Sequence, residues 1–137
     1  MFLVAAAFLV TGCASKKIAY SGPAIPTLTF KVNCGKCEYK ESGAALIAEG
    51  YKEAAKEQGA PISTSETAEV TILDYNARNS SARFWLGAMA GRDTIKTSVK
   101  YKNRTFEVEN FYANAIKGID DLARDIGEDI YKEIVKK

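Results

Sequence analysis

Residues 94–111 read TIKTSVKYKNRTFEVENF, two runs of strict alternation joined at Lys102-Asn103. Ile95, Thr97, Val99 and Tyr101 fall on one side of the first run, and Lys96, Ser98 and Lys100 on the other. In the second run Phe106 and Val108 alternate with Glu107 and Glu109. A period of two with one polar side predicts an antiparallel hairpin with one wet face and one face that needs a cover.

The rest of the chain supplies more sheet and the cover. "TLTFKVN", residues 27–33, alternates Leu28, Phe30 and Val32 against Thr27, Thr29 and Lys31, which predicts a half-buried strand. "AEVTILDYNAR", residues 68–78, reads as another strand with Val70 and Ile72 toward the core. Between them, about Ser42 to Gln58, the residues Ala44, Ile47, Ala48, Tyr51, Ala54 and Ala55 recur at the helical period. Ser42 is the expected N-cap, and Gly59 and Pro61 stop the helix. The small alanine face predicts close packing on the sheet. After the hairpin a long helix is expected from about Ala113 to the end, with Ile116, Ile119, Ala123, Ile126, Ile130 and Ile134 on one stripe. Gly118 and Gly127 each weaken it by up to ~1 kcal/mol. The order is β-α-β-β-β-α, which predicts an α+β two-layer sandwich, a mainly antiparallel sheet with both helices on one face. Residues 27–137 form the single domain.

The N-terminus reads MFLVAAAFLVTGCASKK. A short apolar run, small residues and a break mark a secretory signal rather than a folded element. The run is shorter than the roughly 20 residues that a spanning helix needs. "VTGC", residues 10–13, resembles the bacterial lipobox, whose Cys is lipidated as the peptide before it is removed. The resemblance implies a signal peptide over residues 1–12, expected to be truncated at its start because no basic residue precedes Lys16. It implies that Cys13 is the lipidated first residue of the mature chain. Each buried methylene contributes about 0.8 kcal/mol, so several acyl chains make the anchor effectively permanent. Ala14 and Ser15 follow the Cys, with no Asp there; resemblance to sorting in diderm bacteria then implies the periplasmic face of the outer membrane. Residues 13–26, with Pro23 and Pro26, are expected to be the lipidated Cys and a tether, roughly 20 Å from end to end.

Composition narrows the chemistry. The net charge is +2 with 26% charged residues and no basic cluster, so nucleic acid is not an expected partner. The chain has no histidine, which removes the commonest general base, the commonest zinc ligand and every Ser-His arrangement. No metal or cofactor is expected.

Cys34-Gly35-Lys36-Cys37 is the one motif with a chemical look. Zinc would need two more ligands, and haem attachment needs a His where Glu38 stands. In an oxidising periplasm two nearby thiols close into a structural disulfide, which is the expectation here. The alternative is a thiol-disulfide redox protein with Cys34 as nucleophile. Its resemblance to thioredoxin is thin, since Asn33 stands where the usual Trp would be. Asp74 and Asp93 flank residues 77–92 and could approach each other across two strands; solvated strand ends are the expected reading. Asp120, Asp121, Asp125, Glu128 and Asp129 decorate the polar side of the last helix, and no catalytic residue is expected among them.

One stretch fits none of this. SARFWLGAMAGRD, residues 81–93, has no charge and no hydroxyl from Phe84 to Gly91. Three readings compete: aromatic side chains folded into the core with glycines permitting the turn, an exposed docking patch for an envelope protein, or aromatic rings dipping into lipid headgroups. Of the latter two the protein partner is favoured, because the lipid chains already hold the membrane. Arg83, Phe84, Trp85, Gly87 and Gly91 also fit an Arg-aromatic-aromatic-x-Gly-x-x-x-Gly outline. This outline and the element order resemble small envelope lipoproteins of unknown function in Gram-negative bacteria. The resemblance implies a fold and an envelope location, and no activity. The expected function is a non-catalytic, lipid-anchored binding or accessory domain, with Arg83, Phe84, Trp85, Leu86, Gly87, Met89 and Gly91 as the contact candidates.

Overall fold

The computed structural model describes residues 20–35, 37–77, 92–113 and 117–136. Within them the chain runs β1 (Ile25–Val32), α1 (Glu41–Gln58), β2 (Ile62–Asn76), β3 (Asp93–Tyr101), β4 (Arg104–Tyr112) and α2 (Ile119–Val135). The four strands lie in the order β1-β2-β3-β4. β1 pairs parallel to β2, and the other two pairings are antiparallel. This is the expected α+β sandwich in the expected β-α-β-β-β-α order, with a mixed sheet and two helices packed on it.

The hairpin forms as its alternation predicts. Ile95, Thr97 and Val99 are buried toward the helices, and Lys96 and Glu107 form an ion pair at 3.6 Å on the uncovered face. The turn is two residues long, with Lys102 at φ 53. Thr97 is tolerated in the core because its hydroxyl donates to the Val108 carbonyl at 3.0 Å.

In β2 the alternation changes phase. Ile72 stands opposite Thr97 but Asp74 opposite Lys96, so Leu73 is an extra residue on β2. Such a bulge moves the following side chains to the other face. Val70 and Ile72 are therefore joined in the core by Tyr75, which is 2% exposed.

The helices cross at backbone contact. A Cβ on Gly50 would stand 2.0 Å from the Arg124 carbonyl oxygen, and one on Gly127 2.0 Å from that of Ile47. Gly127, expected only as a weak point of its helix, is what lets α2 reach α1.

Three element ends differ from expectation. α1 starts at Glu41, so Ser42 lies inside its first turn and caps nothing; the N-cap is Lys40, without a side-chain hydrogen bond. At the other end Gly59 adopts φ 71, and the Ala60 amide donates to the Ala55 carbonyl, the closure that left-handed glycine allows. α2 starts at Ile119 rather than near Ala113, because Gly118 is extended and its amide is met by the Asp121 carboxylate at 3.3 Å. Ile116 lies outside the described residues. Lastly, β1 begins at Ile25, and the Tyr51 hydroxyl donates to the buried Pro26 carbonyl at 2.7 Å. The Tyr20 amide donates to the Gln58 carbonyl. Residues 20–26, expected as tether, are built into the domain.

Candidate functional site

Two ends of the sheet differ in kind. Because β1 and β2 are parallel and the hairpin turns at Lys102-Asn103, the start of β1 and that turn share one end. The ends of β1, β2 and β4 and the start of β3 share the other.

The Tyr20 end carries a groove of about 670 Å³ between residues 20–26, the last turn of α1, the β3–β4 turn and the last turns of α2. Ile25, Ala54, Tyr131 and Ile134 form much of its floor, with Tyr20 and Tyr101 also lining it. The Tyr20 hydroxyl donates to the Pro23 carbonyl at 2.7 Å and Tyr101 to Glu66 at 2.9 Å, so both rings are held by their tips. Burial raises the phenol pKa of Tyr131 and of Tyr51 beneath it; the neighbouring Tyr101, Tyr131 and Tyr20 add to the shift at Tyr51. This groove has no counterpart among the candidate residues read from sequence. The signal that bears on it is Tyr20 in a segment otherwise small and polar.

The opposite end holds the cysteines and the chain on either side of residues 78–91. Cys34 and Cys37 form a close pair, with Cα atoms 5.5 Å apart, in the connection from β1 to α1. Cys37 packs against the core. The Glu38 amide donates to the Tyr75 carbonyl at 3.1 Å, and Tyr39 meets the Tyr75 ring edge-on at 5.6 Å. α1 begins four residues beyond Cys37, so neither sulfur sits at a helix N-terminus.

Ala77 and Arg92 bound the unusual stretch. Arg83, Phe84, Trp85, Leu86, Gly87, Met89 and Gly91 lie outside the described residues, as does Cys13. Beside Arg92, Phe111 is 49% exposed, and the Arg92 guanidinium lies 4.6 Å from its ring centre. Such a stacked pair presents an apolar ring and a charge together. Sequence reasoning passed over Phe111 because it lies near the end of a strand whose other outward residues are Thr105, Glu107 and Glu109.

The acid pair does not form. Asp74 stands opposite Lys96 on the uncovered face and accepts a hydrogen bond from Asn76. Asp93 points to the helix face, fully buried, opposite Tyr112. The expectation of two solvated strand ends fails for Asp93, because alternation from Ile95 carries it inward. The α2 carboxylates form the outer side of that helix: Glu128 and Asp129 share Lys132, at 2.8 and 3.6 Å. Asp125 has its pKa raised, first by burial and then by Glu128 and Asp129. Among the described residues no group of three Cys, Asp or Glu is arranged to hold a metal ion, and no helix is long and apolar enough to cross a membrane.

Together these features define a small α+β domain with a groove at one end and an aromatic-basic corner at the other. Residues 43–136 match the family described as a domain of unknown function (DUF4410), and the chain belongs to that family. The match begins after the cysteine pair and includes residues 78–91. No curated protein matches the chain.

Proposed function

We propose that this protein is a lipid-anchored, non-catalytic accessory domain of a bacterial envelope assembly. Cys13 carries the anchor at the periplasmic face of the outer membrane, and the stretch around Phe84, Trp85 and Leu86 docks a protein partner. The observation that carries the reading is the opposition of the two ends. The chain from Cys13 joins the domain at Tyr20, whereas Ala77 and Arg92 lie at the far end of strands of eight to fifteen residues. At ~3.3 Å per residue even the shortest strand separates them by about 25 Å. The described residues that bound the contact segment, Ala77 and Arg92, lie at the end opposite Tyr20, which supports a protein partner over headgroup dipping. The exposed Phe111 beside Arg92 extends the same surface, and aromatic and Arg side chains are the usual anchors of such interfaces.

The Cys34–Cys37 pair acts as a staple in this account. A reactive thiolate is favoured at a helix N-terminus or beside cations, and the dipole effect fades within a turn. α1 starts too late to activate either sulfur, and Cys37 is half-buried against the core.

The test is photo-crosslinking in intact cells with the reactive group at Trp85, a control at Lys100 on the uncovered face, and fractionation of a Cys13→Ser variant. A discrete protein adduct from position 85 alone and release of the Cys13→Ser chain from the membrane are expected. Lipid adducts only, or a Cys13→Ser chain that stays membrane-bound, would overturn the reading.

A further inference from the structure

The groove at the Tyr20 end has the size of a small-molecule site, about 670 Å³, with a mainly apolar floor and charged side chains along its edge. Four cations, Lys102, Arg104, Lys132 and Lys136, line it against two acids, Glu57 and Glu128. Three of the cations are already matched. Lys132 is held by Glu128 and Asp129, Lys136 by Glu133, and Lys102 lies 4.0 Å from Glu66.

Arg104 is different. One guanidinium nitrogen donates to the carbonyl oxygens of Glu133 and Ile134, at 3.2 and 3.3 Å, and these bonds fix the group without neutralising it. Among the described residues it has no carboxylate partner. The remaining N–H donors suit a planar, bidentate acceptor, and a carboxylate is that acceptor. The chain's own residues 14–19 are a poor occupant, since they carry Lys16 and Lys17 and no acid.

We propose that this groove binds a fatty acid, its chain along the floor formed by Ile25, Ala54, Tyr131 and Ile134 and its carboxylate on Arg104. One unneutralised guanidinium matches a head of single negative charge. The tyrosine rings of Tyr20 and Tyr101 flank the chain while their hydroxyls stay bonded elsewhere. This site is separate from the docking corner and does not depend on acylation of Cys13.

The experiment is a calorimetric titration of the full chain with laurate, below its micelle concentration, beside glycerol monolaurate of equal chain length. Saturable 1:1 binding of laurate is expected, at least tenfold tighter than the uncharged ester and weakened by salt. Arg104→Gln, which keeps an amide donor for the two carbonyls but removes the charge, should bind laurate about tenfold more weakly. Lys100→Gln, on the uncovered face and outside the groove, should change it less than twofold. Absence of saturable laurate binding, or equal affinity for acid and ester on the unsubstituted chain, overturns the proposal even if Arg104→Gln fails to fold. Unchanged laurate affinity in a folded Arg104→Gln chain also overturns it. Neither failure bears on the docking account, which is read from adducts at position 85.

Discussion

Gly127 of α2 lies against Ile47 of α1 so closely that a Cβ on the glycine would stand 2.0 Å from the Ile47 carbonyl oxygen and 2.6 Å from the Tyr51 amide nitrogen. Gly50 meets the Arg124 carbonyl in the same way from the other side. Alanine would gain up to ~1 kcal/mol in helix propensity at either site. The obstacle is backbone rather than a movable side chain, so the helices must part, and overpacking costs about 1–3 kcal/mol or more. Gly127→Ala and Gly50→Ala are therefore expected to lower the urea midpoint despite the better helix former. An unchanged or raised midpoint would mean that the helices do not cross at this distance.

Tyr75 sits under Gly43 and Tyr39, and its phenol pKa is pushed from the ordinary 10.0 up to about 12 by burial first, then by the Asp120 carboxylate and Tyr39. The folded state thus holds the proton more tightly than the unfolded chain. The associated stability is complete below pH 10 and is lost as pH rises toward 12, on the order of 2 kcal/mol. Stability against urea should fall across that window, and Tyr75→Phe should flatten that part of the profile. An equal slope in both proteins would contradict the assignment.

If Cys34 and Cys37 staple the β1–α1 connection, the loop they close is very short. Loop-closure entropy for so short a loop is worth about 2 kcal/mol. Reduction, or Cys34→Ala with Cys37→Ala, should lower Tm while leaving the circular dichroism spectrum of the folded domain intact at 25 °C. A thiol at Cys34 that titrates well below 8.5 would instead favour exchange chemistry.

Tyr51 ties the start of β1 to α1 through its hydroxyl on the Pro26 carbonyl. Tyr51→Phe leaves that carbonyl unmatched in a buried position and should cost about 1–2 kcal/mol. The loss should be felt locally, with faster hydrogen exchange at the Tyr20 amide, which is bonded to Gln58. Exchange at the Ile72 or Val99 amides should follow global stability alone.

The hairpin was legible because one face is wet and the other buried, so Ile95 to Tyr101 and Phe106 to Val108 alternate without interruption. The α1 face was legible for the same reason at the helical period. What escaped depends on contacts distant in sequence. Tyr75 enters the core only because Leu73 is an extra residue, and a bulge leaves no mark in the period before it. Gly127 looks like a helix breaker until Ile47 is seen beside it. Asp93 looks like a turn residue until its register with Tyr112 carries it inward. The groove joins residues 20–26 to the β3–β4 turn and the end of α2, three segments that no local pattern links. Arg104, its proposed anchor, is set apart from its lysine neighbours by bonds to the Glu133 and Ile134 carbonyls and by lacking a carboxylate partner among the described residues, and both depend on contacts distant in sequence.

The central claim is that the domain has an anchored end and a docking end, and β4 samples both. Phe111 is exposed at the far end beside Arg92, and Thr105 is exposed at the near end beside the turn. Photo-crosslinking groups placed singly at these two positions in intact cells test the polarity directly. The account predicts a discrete protein adduct from position 111 and none from position 105. A protein adduct from 105 with none from 111 would contradict it.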